Sequence, residues 1–255
     1  IEENTDDKVA VTELKNIVLH QRNLLNHKIL NSFFSNRTSV IWIFNGVEKE
    51  IKSQKEFNSF LSEICKTVYH KTPYFNNELV NKHKISTSIH TAKRRYFNAL
   101  ANDWDMPQLG FDTDKFPPEK TIYLSLLENN GIKLCDDDSS NLIEPHNENG
   151  FYNLWEASVE FLISAKLSKR SVSEFVEMLN NKPFKLKQGF IDFWIPTFLF
   201  IKRDEYALFN EGIYTPTINE DILELISKIP KDFEIKSFVL EGVKLDIFNS
   251  YRKFL

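Results

Sequence analysis

Asn45-Gly46 stands directly between two short β-favouring runs, 39–44 (SVIWIF) and 47–51. Asn-Gly tolerates the two positive φ angles that a two-residue hairpin turn demands, so this is the strongest short hairpin signal a sequence carries. A second signal, Asn210-Glu211-Gly212, separates 205–209 from 213–216. Most of the remaining chain has helical period. Only 7 glycines against 22 phenylalanines leave little material for tight-turned sheet and much for aromatic packing between helices. The fold class that follows is mainly α (α+β), helical with two small β-hairpins in winged-helix-like modules.

The helices come with their punctuation. Val11, Leu14, Val18, Leu25, Ile29 and Phe33 mark a long helix over 9–34. Ser53 and Glu56 form a capping box for a helix through 66–69, which Thr72-Pro73 ends. A short helix over 76–82 precedes a longer one opened by Ser86. Pro117-Pro118-Glu119 starts another, with Glu119 and Lys120 as a charged first turn and Gly131 as its stop. Further on, 151–167 places Leu154, Trp155, Ser158, Phe161, Leu162 and Ala165 on one face. Ser171 with Glu174 caps a helix to Asn181, and 189–202 is strongly apolar, with Pro196 as a kink point. Asn219 caps 221–228, 233–240 reads as a strand, and 243–255 as a last helix.

The polar, acidic segment 136–150 separates two expected domains: a helical domain at 1–135, with hairpin 39–51 and basic helix 86–102, and a winged-helix-like domain at 151–255. Net charge is −4, so the whole chain has no general attraction to polyanions. Its distribution is uneven. Residues 1–135 carry 18 Lys/Arg against 16 Asp/Glu, and the remainder 14 against 20.

That unevenness peaks in 79–102, which holds Lys82, Lys84, Lys93, Arg94 and Arg95 with no acid between Glu78 and Asp103. At about 100° per residue, Ile85, Ile89, Ala92, Tyr96, Ala99 and Leu100 share one face, and Thr87, Thr91, Arg94 and Asn98 the opposite one. A stripe of Thr, Arg and Asn backed by an apolar stripe suits a helix laid beside a phosphate backbone. The alternative is an ordinary solvated or protein-facing helix. The nucleic-acid candidates are therefore Lys82, Lys84, Thr87, Thr91, Lys93, Arg94, Arg95 and Asn98.

No chemistry-bearing motif accompanies them. A phosphate loop, a dinucleotide fingerprint and a nucleophile elbow all lack their glycines. His20/His27 and His83/His90 are spaced by seven, too far along a helix to share an ion unaided. Cys65 and Cys135 form no spaced pair and read as free buried thiols. Glu234-Ile235-Lys236 on a strand, with Asp204 upstream, is the one arrangement that metal-dependent nucleases also use. The same Glu-x-Lys spacing recurs at Glu13 and Glu50, so it discriminates little. The expectation is no catalytic residue, no metal and no cofactor. No apolar run is long enough to span a bilayer, and the location expected is cytoplasmic.

Three blocks nevertheless have a family look. Thr72-Pro73 leads to Asn77-Glu78-Leu79-Val80-Asn81-Lys82, Ile85-Ser86 and Ala92-Lys93-Arg94-Arg95. Phe116-Pro117-Pro118-Glu119-Lys120-Thr121-Ile122-Tyr123 follows, then Lys182-Pro183-Phe184, Gly189 and 204–212. In that order, over about residues 57–240, they resemble blocks of the large BrxC/PglY-type P-loop ATPases of BREX-type bacterial phage-defence systems. The family's ATP-binding loop has no counterpart here. The resemblance implies a region beside a nucleoside-triphosphatase core in a multi-subunit, nucleic-acid-directed defence machine; the first reading of its role is to couple that core to DNA or to other subunits of the complex. A protein-interaction scaffold without nucleic-acid contact is the alternative, and a metal-dependent nuclease the third reading.

Overall fold

Local signals become structure in order along the chain. The computed structural model describes residues 7–34, 40–134, 142–146 and 150–238. They divide into two compact units, 1–68 and 69–255.

The first unit opens with α1 (Lys8–Phe34), followed by β1 (Trp42–Phe44), β2 (Val47–Lys49) and α2 (Gln54–Val68). Asn45 (φ 51) and Gly46 (φ 77) make the hairpin turn as the sequence requires. Ser53 Oγ accepts from the Glu56 N–H at 3.1 Å, and Glu56 reaches back to the Lys52 N–H at 2.8 Å, one residue before the capping box predicts. Phe34 stacks on Trp42, whose ring centroid lies 4.6 Å from that of Phe57, and Phe44 meets Phe60 edge-on. Beyond this cluster little is covered. Ile51 is the one buried residue among the described part of this unit, and α1 has none.

The second unit is built around α7 (Gln188–Ile201), eleven of whose residues, Gly189–Ile191 and Phe193–Phe200, are buried. A helix apolar all round belongs at the centre of a core. Phe190, Trp194 and Phe198 stack along one side at i, i+4 spacing. Around it lie α3 (Thr87–Asn102), α4 (Pro118–Leu126), α5 (Tyr152–Ser164), α6 (Val172–Asn180) and α8 (Glu220–Lys228). All six residues expected inward on 151–167 are buried. Trp194 donates its indole N–H to Ser158 Oγ at 3.0 Å, deep in this core.

A four-stranded antiparallel sheet closes one side, in the order β3 (Arg170–Ser171), β6 (Phe233–Ser237), β4 (Tyr206–Asn210), β5 (Ile213–Thr215). Glu211 (φ 48) and Gly212 (φ 82) form the second hairpin's turn. In β6, Phe233, Ile235 and Ser237 are buried and Glu234 and Lys236 are half-buried, the alternation a half-covered strand needs. From α5 to β6 the element order is that of a winged helix, with β5 and α8 inserted between β4 and β6. The helix in the groove-reading position is α7, and burial removes it from any groove.

Four expectations are corrected. The division at 136–150 fails because α3 packs on α7 and α8 in one core with α5 and α6; the chain divides at 68/69 instead. The hairpin at 39–51 and the basic helix therefore do not form one module. Residues 76–82 make turns rather than a helix, because the Asn77 side chain bonds Ser125 Oγ and the Leu79 N–H while the Lys82 carbonyl accepts from the Gly189 N–H. Cys65 is exposed, not buried. Cys135, most of the 136–150 segment and the helix expected at 243–255 lie outside the described residues. Among the described residues no helix is long and apolar enough to cross a membrane.

Candidate functional site

The basic helix exists: α3 starts after Ser86 and spans Thr87–Asn102. Thr87, Thr91, Arg94 and Asn98 are exposed and Ile89, Ala92, Tyr96, Ala99 and Leu100 buried, as the helical wheel places them; Ile85 precedes the helix and is half-buried, and Lys93 and Phe97 are buried as well. Tyr96 donates to Thr197 Oγ1 at 3.0 Å, since that hydroxyl spends its own proton on the Phe193 carbonyl. Burial pushes the Tyr96 phenol well above its usual range.

Its cations differ in exposure: Lys93 is buried, whereas the Arg94 and Arg95 side chains are 71% and 66% exposed. Lys93 is 1% exposed and donates to Ser227 Oγ of α8 at 2.7 Å, so the assignment of Lys93 to a nucleic-acid surface is overturned. Burial holds Lys93 below its usual pKa, with Asp192 and Glu224 opposing the shift. Asp192 is pushed up, also by burial, against Gln188, Lys93 and His90. Desolvation thus outweighs the attraction between these opposite charges. Arg94 lies 3.5 Å from Glu224, which also takes Lys228 at 2.7 Å. Burial would raise Glu224, yet Lys228, Arg94 and Lys93 together hold it low. Arg95 meets Glu119 Oε1 at 3.3 Å. Lys82 and Lys84 are exposed, on the bend that precedes α3.

Four of the eight candidates, Thr91, Arg94, Arg95 and Asn98, come together on one wall of a cleft of about 560 Å³. Glu119 from α4 and Glu220, Asp221 and Glu224 from the first turns of α8 line the cleft too, with Asp103 and the apolar Ala99, Leu109 and Phe111. Five carboxylates face two guanidiniums, so the cleft is acidic even though its founding helix is basic.

Glu119 and Lys120 do form a charged first turn, in α4. Both are buried, at 7% and 2% exposure. Lys120 donates to the Asp112 and Thr113 carbonyls, at 2.7 and 3.2 Å, and sits over the Phe116 ring. Glu119 offers Oε1 to Arg95, while Oε2 is buried and accepts nothing among the described residues. The one available signal was the run Pro117-Pro118 before them, which fixes a rigid helix start without revealing what covers it.

Two residues of the arrangement considered for a nuclease have partners within the chain. Glu234 pairs with Lys169 at 3.5 Å, and Lys236 donates to the Lys166 and Leu167 carbonyls. Among the described residues no three His, Cys, Asp or Glu side chains gather where a metal ion could sit. Comparison with protein-family models, with curated proteins and with solved structures finds no match.

Proposed function

We propose that this chain is a non-catalytic coupling region of a BREX-like, cytoplasmic defence ATPase, and that it couples through protein rather than through DNA. The observation that carries this reading is α1. Nine large apolar residues of that helix, among them Leu24, Leu25, Ile29 and Phe33, are exposed at 43% or more apart from Leu30 at 36%. They lie on several sides of the helix, a pattern that calls for cover. Lys8, Lys15, Arg22 and Lys28 against Glu13 make α1 basic. The complementary occupant is an apolar groove with an acidic rim on another subunit of the complex. The burial of Lys93 and the five carboxylates that line the cleft beside Arg94 and Arg95 weigh against the phosphate-binding alternative.

The test co-expresses the chain with a BrxC/PglY-type ATPase and measures the complex by light scattering after gel filtration. A stoichiometric complex is expected, lost in Leu25→Glu/Ile29→Glu with the unfolding of 69–255 unchanged. In parallel, fluorescence anisotropy follows labelled duplex DNA. Salt-sensitive DNA binding that falls away in Arg94→Ala/Arg95→Ala, with no protein complex, would overturn the reading in favour of phosphate contact.

A further inference from the structure

The sheet of the first unit is the two-stranded hairpin β1–β2, and two strands by themselves are marginal in water. Its two edges are unlike. Across the Asn45-Gly46 turn Phe44 pairs with Val47, so this pair and the next but one, Trp42 with Lys49, exchange the ladder's hydrogen bonds. Ile43, and Ile41 before it, therefore turn their backbone N–H and C=O away from β2. Among the described residues neither has a further backbone partner. Strand alternation sends their side chains to the face opposite Trp42, on which Phe34 stacks, and they are 66% and 63% exposed. Edge strands are ordinarily kept from pairing by charge or proline. β2 has the charge: its outward backbone groups belong to Glu48, followed by Lys49 and Glu50, and two copies meeting there would set carboxylates side by side. β1 has no such protection. Residues 40–44 (VIWIF) are β-branched or aromatic throughout, with no charge, proline or glycine.

We infer that β1 is a self-association edge, at which two copies of this chain join by antiparallel pairing of residues 40–44 around a twofold axis. The register follows from the hydrogen bonds on offer. With the axis at Trp42, Ile41 of each copy stands opposite Ile43 of the other, and both pairs are of the kind that exchange two bonds. An axis at Ile43 would set Ile41 against Asn45, whose φ of 51 takes it out of the strand, and only the Ile43 pair would remain. The two hairpins then form one four-stranded antiparallel sheet, with Ile41 and Ile43 of both copies adjacent on one face. An uncharged edge offers a charged strand nothing to pair with, whereas a second copy repeats the same β-branched and aromatic side chains opposite one another. A contact between like surfaces closes at two copies. The pairing edge and the bare isoleucine face do not include α1, so the inference stands apart from what covers that helix.

Sedimentation velocity of the whole chain, with no other protein present, tests this over about 2–200 μM. A concentration-dependent passage from one copy to two is expected. Ile43→Lys and Ile41→Lys each place an ammonium on the pairing edge and weaken dimerisation by about tenfold or more. Both positions are exposed, so either variant keeps the hairpin, and the second serves if the first does not fold. Glu48→Lys, on the other edge, leaves the dimer as it is. So does Leu25→Glu/Ile29→Glu, which probes the cover of α1 and not β1. A chain that stays single throughout, a dimer unmoved by both isoleucine variants, a dimer lost in Leu25→Glu/Ile29→Glu, or growth beyond two copies would each overturn the assignment.

Discussion

Replacing Lys93 separates a buried ammonium from a solvated one. In Lys93→Ala three methylenes leave a site that is 1% exposed. At about 0.8 kcal/mol each, they account for roughly 2.4 kcal/mol. The hydrogen bond to Ser227 goes too, and Asp192 loses an opposing charge. Removing one partner of a buried charged pair costs about 3–5 kcal/mol. Release of the ammonium from its desolvation penalty returns part of this, leaving a net loss of about 3 kcal/mol. Lys93→Met keeps the stem and discards the charge, so it recovers about 2 kcal/mol of that loss. Urea unfolding followed by tryptophan fluorescence reads both values, with Lys82→Ala as the exposed control within about 0.5 kcal/mol of wild type. The corresponding drop in Tm for Lys93→Ala is about 6–12 °C at this size. If Lys93→Ala unfolds with Lys82→Ala, the ammonium is solvated, and the internal engagement of α3 collapses with it.

Three further perturbations probe the same core. Gly189→Ala would bring a Cβ to 2.5 Å from the Val80 carbonyl and 2.6 Å from that of Lys82. Both are backbone atoms that cannot swing aside, so a loss of about 3 kcal/mol in urea unfolding is expected. Ser158→Ala orphans the Trp194 indole N–H and costs about 1–3 kcal/mol, visible in the same titration. Tyr96→Phe alters the alkaline limb of stability. The folded state holds the phenol neutral above its ordinary value of 10.0, whereas the unfolded chain ionises there. The contribution of Tyr96 is therefore complete below pH 10 and lost as pH rises beyond it. The gap between wild type and Tyr96→Phe, measured by urea unfolding at pH 8 and pH 11, narrows at the higher pH.

Most elements were legible because their signals are local. Asn45-Gly46 and Glu211-Gly212 specify hairpins through the φ angles they accept, and Asn219 caps α8 by accepting from the Ile222 N–H at 3.0 Å. Periodicity named the buried face of α5 and most of that of α3, missing Lys93 and Phe97, because one helix's geometry decides them. It failed for 76–82, where Asn77 and Lys82 bond to groups more than forty residues away.

The candidate site was half legible for the same reason. Thr91, Arg94, Arg95 and Asn98 were identified as one exposed face, and they do share a wall. Their electrostatic meaning was not readable, because Glu119 and Glu224 lie 24 and 130 positions beyond the arginines that meet them. By itself the sequence determined most of the described helices, the two turns and most of the buried faces of α3 and α5, since these depend on neighbours a few residues apart. Only the tertiary structure decided that Lys93 is buried, that the chain divides at 68/69, and that a basic helix lines an acidic cleft. Charge acts through space, and the carboxylates that reverse its sign reach α3 only once α4 and α8 have packed beside it.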